Sequence, residues 1–91
     1  MPSPVVELNR AVAVAMAEGP EAGLAIVDSL RLEPALRHYH LLPSVRGDLL
    51  EKLGRVDEAR VEFERAAALT RNERERDVLI GRMSQKATVK D

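Results

Sequence analysis

His38 and His40 are the only histidines in the chain, and with Glu33 they come nearest to a metal-ligand set. Two residues apart, they point to different faces of any helix, whereas a zinc site needs its donors to converge. No cysteine is present to complete them. The trio is therefore expected to be turn or surface decoration, and no metal site is predicted. Ser3, Ser29, Ser44 and Ser84 stand in no strand–turn–helix elbow that would present a nucleophile, and glycines 19, 23, 47, 54 and 81 build no phosphate-cradling loop. No catalytic residue and no cofactor follow from these patterns, and the chain is expected not to be an enzyme. Arg71, Arg74 and Arg76 alternate with Glu73, Glu75 and Asp77, which suits a solvated helix face better than a phosphate patch. Asn9, Arg10 and Arg46 are more informative, being polar groups on otherwise apolar segments. Arg10 and Arg46 are expected to tie neighbouring carboxylates such as Glu7 and Asp48, with capture of a partner's carboxylate as the alternative.

Such residues have to be held by one small domain. The chain has 91 residues, 45% of them apolar and 32% charged, which suits a single globular unit too small to wall a deep cavity. Its net charge of -1 supplies no attractive field for phosphate backbones, so no direct nucleic-acid partner is expected. The longest apolar run, residues 11–17, falls far short of the roughly 20 residues that cross a bilayer. Glu7 and Arg10 interrupt any secretory leader, so no membrane partner and a cytoplasmic location are expected. Tyr39 and Phe63 are the only aromatics. That poverty argues against a β-sandwich and for an all-α chain.

Punctuation places the helices. Ser3 followed by Pro4 predicts an N-cap with proline in the first helical position, and Gly19-Pro20 predicts a stop and a new start. The first helix is expected over 4–18 and the second over 20–31, ending before Pro34. A short turn near 36–40 and a third helix over 43–53 follow, because Pro43 would break a longer one. Gly54 closes it, and Asp57 opens a fourth helix that turns Ala59, Phe63, Ala66 and Ala67 inward and ends near Leu69. Asn72 with Glu75 predicts a capping box for a fifth helix reaching about Lys86. Residues 1–86 then form the domain and 87–91 a frayed tail.

A shift of 36 residues lays Arg10-Ala11 on Arg46-Gly47, Val14 on Leu50, Gly23 on Ala59, Val27 on Phe63 and Leu30 on Ala66. Small residues recur where paired helices would cross, and larger ones where a core needs filling. This is the logic of a tetratricopeptide-like repeat, and it predicts about two tandem antiparallel helical hairpins with a C-terminal capping helix. A plain four- or five-helix bundle shares many of these features.

The repeat converts position into exposure. It sets Val5, Leu8, Val12 and Met16 on the concave face of the first helix, and Leu41, Ser44, Asp48 and Glu51 on that of the third. Because Ala11, Val14 and Ala15 are used against the second helix, the first is apolar nearly all round and wants a neighbour on two sides. Val5, Leu8, Asn9, Val12, Met16 and Arg46 are the candidate protein-interaction residues. Their occupant is expected to be a neighbouring module or a second copy of the chain, unless the fifth helix or the turn over 36–42 folds back across them.

Three strings carry a family resemblance: Pro4-Val5-Val6-Glu7-Leu8-Asn9-Arg10-Ala11-Val12-Ala13, Tyr39-His40-Leu41-Leu42-Pro43-Ser44-Val45-Arg46-Gly47-Asp48-Leu49-Leu50 and Gly54-Arg55-Val56-Asp57-Glu58-Ala59-Arg60. Together they resemble the C-terminal tetratricopeptide-like domain of a group of bacterial extracytoplasmic-function sigma factors, over about residues 3–83. The first two are fairly specific to that group, and the third is common to tetratricopeptide repeats at large. The resemblance implies a regulatory protein-interaction domain in transcription initiation, whose partners are the promoter-reading sigma modules or RNA polymerase. The usual early aromatic of the second repeat is Pro43 here and the late proline is Arg71. A free-standing adaptor that self-associates as a homodimer or binds a partner peptide is the alternative. A small-molecule-sensing domain is a third reading, and it would need Asn9, Arg10, Tyr39, His40 and Arg46 to converge on one pocket.

Overall fold

The computed structural model describes residues 3–88, with side chains up to Met83. It is all-α, with no strand among the described residues: α1 (Pro4–Glu18), α2 (Pro20–Ser29), a 3-10 turn (Pro34–Leu36), α3 (Leu41–Lys52), α4 (Val56–Leu69) and α5 (Glu73–Thr88). α1 begins as expected, the Ser3 hydroxyl accepting the Val6 N–H at 3.1 Å ahead of Pro4. Gly19 has φ +107°, a conformation that suits glycine, and joins α1 to α2 with no residue to spare. α2 ends two residues short of the expected Arg31. There the chain tightens, Leu30 and Arg31 donating to the carbonyls three residues back, Val27 and Asp28.

Pro43 does not start the third helix but sits inside its first turn, two residues after Leu41. The first four N–H groups of a helix have no acceptor within it, so a proline there sacrifices no bond. Pro43 would break the helix only further along, where its missing N–H would be needed. At the other end Gly54, φ +81°, closes α3 in a Schellman turn, with Arg55 N donating to Leu50 O at 2.9 Å and Gly54 N to Glu51 O at 3.0 Å. α4 starts at Val56, one residue ahead of the expected Asp57. α5 continues through Ala87 and Thr88, past the expected end at Lys86; of the expected frayed tail, residues 89–91 lie outside the described residues.

The helices stack as two antiparallel hairpins: α1 lies along α2, α3 along α4, α2 along α3, and α5 along α4. Ala11, Val27, Leu50, Ala59, Phe63 and Ala66 form the driest part of the core. Both crossings are tight. A Cβ on Gly23 would stand 2.6 Å from Ala15 Cβ and 2.7 Å from the Ala11 carbonyl oxygen, and one on Gly47 would stand 2.7 Å from the Phe63 ring. In α4, Ala59, Phe63, Ala66 and Ala67 all turn inward. No helix among the described residues is long and apolar enough to cross a membrane.

Candidate functional site

Val5, Asn9, Val12 and Met16 recur on α1 at intervals of four, three and four, the spacing that draws a stripe along one face. All four are exposed, Met16 at 84%, Val5 at 39% and Val12 at 37%. Val6, beside them, is exposed as well. Leu8 belongs to the neighbouring stripe with Ala11 and Ala15, which α2 covers, and only 2% of it reaches solvent. It is a core residue, so a charge placed there would open the core rather than test a surface. Along the C-terminal half of the exposed stripe, Val12, Ala15 and Met16 face Val45 and Leu49 of α3 across a mostly apolar groove of about 320 Å³, with Asp48 and Lys52 on its far rim.

Arg46, the sixth candidate, lies inside at 7% exposure. Its Nε donates to Asp28 Oδ1 of α2 and its Nη1 to Glu62 Oε2 of α4, both at 2.8 Å. Burial pulls its pKa down, but the hydrogen bonds and charges of the two carboxylates outweigh burial and hold it above the ordinary arginine value. It thus clamps three helices, with Asp28 and Glu62 in place of the expected Asp48. Arg10 meets the expectation, its Nε bonding Glu7 Oε1 at 3.1 Å at the surface.

α3 presents a different outer face. Arg82 of α5 reaches over it, 3.0 Å from Asp48 Oδ1 and 2.7 Å from Glu51 Oε1, with its guanidinium 4.4 Å above the Phe63 ring. Lys52 adds a 2.6 Å contact to Asp48 Oδ2. Partial burial raises the Asp48 pKa, yet Lys52 and Arg82 together bring it below the usual carboxylate value. The acidic residues of the expected concave surface are therefore engaged by Arg82 of the capping helix, while the apolar half on α1 meets no such side chain.

The capping box before α5 is half formed. Asn72 Oδ1 accepts the Glu75 N–H at 3.1 Å, but the Glu75 carboxylate turns away to accept from the Thr70 hydroxyl at 2.8 Å. Its Oε1 also lies 2.7 Å from His40 Nε2, without the alignment of a hydrogen bond. Arg76 closes α4, donating to the Ala67 and Thr70 carbonyls at 3.2 and 2.9 Å. Nothing in the sequence pattern marked Arg76 for this role, since its carbonyls belong to the preceding helix. Asn9 and Arg10 stay on the α1 surface, Arg46 points between α2 and α4, and His40 leans on Glu75, so these residues do not converge on one pocket. No group of three His, Cys, Asp or Glu residues among the described residues could hold a metal ion.

Over 71 residues the chain is 55% identical to a protein of Rhizobium meliloti (strain 1021) that is described only as uncharacterized, a match that takes in 78% of this chain. The same stretch is 16% of that protein, so the chain spans about one sixth of its relative. No family model matches the chain. No solved structure matches it.

Proposed function

We propose that this chain is a regulatory protein-interaction domain of an extracytoplasmic-function sigma factor, and that it docks through the outer face of α1. The observation that carries the docking is the exposed stripe of Val5, Val12 and Met16 on a helix that packs mainly against α2 and touches α3 and the 3-10 turn only lightly. An apolar stripe in water gains about 25 cal/mol for each Å² that a partner removes from solvent, so a face of this kind favours association. The sigma-factor assignment rests on the sequence strings around Asn9, His40-Leu41-Leu42 and Arg46-Gly47-Asp48. Correspondence to a minor part of a much longer relative is in keeping with a domain that works beside others. Arg82 occupies the matching acidic face of α3, which leaves the apolar half of the surface for the partner.

Co-purification of the chain with the promoter-reading modules of such a sigma factor tests the proposal. Val12→Glu should abolish retention while the far-ultraviolet circular dichroism stays unchanged, because Val12 lies outside the core. Retention of the variant at the level of the parent chain would refute it. Self-association through the same helix is distinguished by sedimentation, where that reading requires a dimer that Val12→Glu dissociates.

A further inference from the structure

Where the α2–α3 connection meets the C-terminal half of α4, a cleft of about 480 Å³ opens. Its floor is aliphatic, with Leu36 and Leu42 buried and Leu69 half-buried. Its rim is cationic. Arg31, Arg37 and Arg65 are exposed around it, and none of the three has an ion pair or side-chain hydrogen bond within the described residues. Behind them Arg46 spends Nε and Nη1 on Asp28 and Glu62 and keeps its Nη2 without an acceptor. Two acids also line the cleft, Glu33 and Glu62, and the charge of Glu62 is already engaged by Arg46. Arg10, Arg55, Arg76 and Arg82, by contrast, all bond within the fold.

We propose that this cleft binds an acidic peptide segment, with aspartate or glutamate carboxylates on Arg31, Arg37 and Arg65 and an aliphatic side chain on the leucine floor. The planar guanidinium fork matches a carboxylate in two parallel hydrogen bonds, and three forks around one apolar floor match alternating acidic and aliphatic residues. A nucleic-acid strand fits less well. No aromatic side chain lines the cleft for a base to stack on, and the chain's net charge of -1 gives no long-range pull on a polyanion. The cleft is lined by no residue of α1, so the two surfaces stand or fall separately.

Fluorescence anisotropy with a labelled short peptide alternating aspartate and leucine tests it. Binding should saturate, weaken as sodium chloride rises, and fall by about tenfold in the Arg31→Ala/Arg65→Ala double variant, both side chains being exposed and making no ion pair or side-chain hydrogen bond within the described residues. It should be unaffected by Val12→Glu, and by Arg60→Ala as a charge control on the same helix as Arg65. Absence of saturable binding overturns the proposal, as does equal affinity in the double variant. A single-stranded oligonucleotide of the same charge that binds as tightly as the peptide would overturn it as well.

Discussion

The two hairpins meet one packing problem in different ways. In α1–α2 the crossing is small against small, Gly23 against Ala11 and Ala15, and the backbones themselves come into contact. In α3–α4 the glycine makes room for a ring, Gly47 against Phe63. The outer faces differ as well: α5 lays Arg82 across Asp48 and Glu51 of α3, whereas the stripe through Val5, Val12 and Met16 of α1 meets no such cover. A repeat thus fixes where helices cross, and the residues filling each crossing decide what remains outside for a partner.

The sharpest test of this contrast is to empty each crossing in turn. Phe63→Ala should cost about 3–5 kcal/mol, while Val27→Ala, at the equivalent position of the first hairpin, should cost about 2 kcal/mol, both read from urea midpoints. Equal losses would break the comparison. The clamp between the hairpins comes next. Arg46→Met should cost about 3 kcal/mol or more, since it strands Glu62 in the core, and the Arg46→Met/Glu62→Met double variant should recover much of the loss. No recovery would mean that the pair stabilises the fold beyond satisfying its own charges.

Gly23→Ala and Gly47→Ala should each cost about 1–3 kcal/mol from overpacking, reduced by up to about 1 kcal/mol of gained helix propensity. Only the second should be relieved by Phe63→Leu, because its clash is with a side chain and the first is partly with a carbonyl oxygen. The smallest effect belongs to Asp48. Its pKa is lower in the fold, so its contribution is present above the unfolded value near 3.9 and disappears as pH falls through the folded one. With the carboxylate partly in solvent the effect should be no more than about 1 kcal/mol. Asp48→Asn should flatten that part of the stability profile between pH 5 and pH 2, measured by urea unfolding at a series of pH values; an unchanged slope would remove the Arg82 bridge from the account.

Much of the architecture was legible in the string of residues because its signals are local. Ser3-Pro4 sets a helix end by a side-chain cap, Gly19-Pro20 and Gly54 by backbone geometry, and the small residues at 11, 23, 47 and 59 marked the crossings through the 36-residue shift. The start of α3 was obscured because a proline in a first turn looks the same in sequence as one that breaks a helix. The partners of Arg46, Arg76 and Arg82 were out of reach for a different reason. Each is supplied by another helix, and long side chains choose among several carboxylates or carbonyls only once the helices have stacked. For the candidate surface, repeat position placed Val5, Leu8, Val12 and Met16 on one face but could not tell Leu8 apart from the other three. That distinction depends on which side α2 approaches.

Hydrogen–deuterium exchange of the chain, alone and mixed with the promoter-reading sigma modules, addresses the docking claim with the fewest assumptions. New protection should fall on residues 5–16 of α1 and leave α5 unchanged. Protection confined to α4 and α5, or none anywhere at saturating partner, would contradict it.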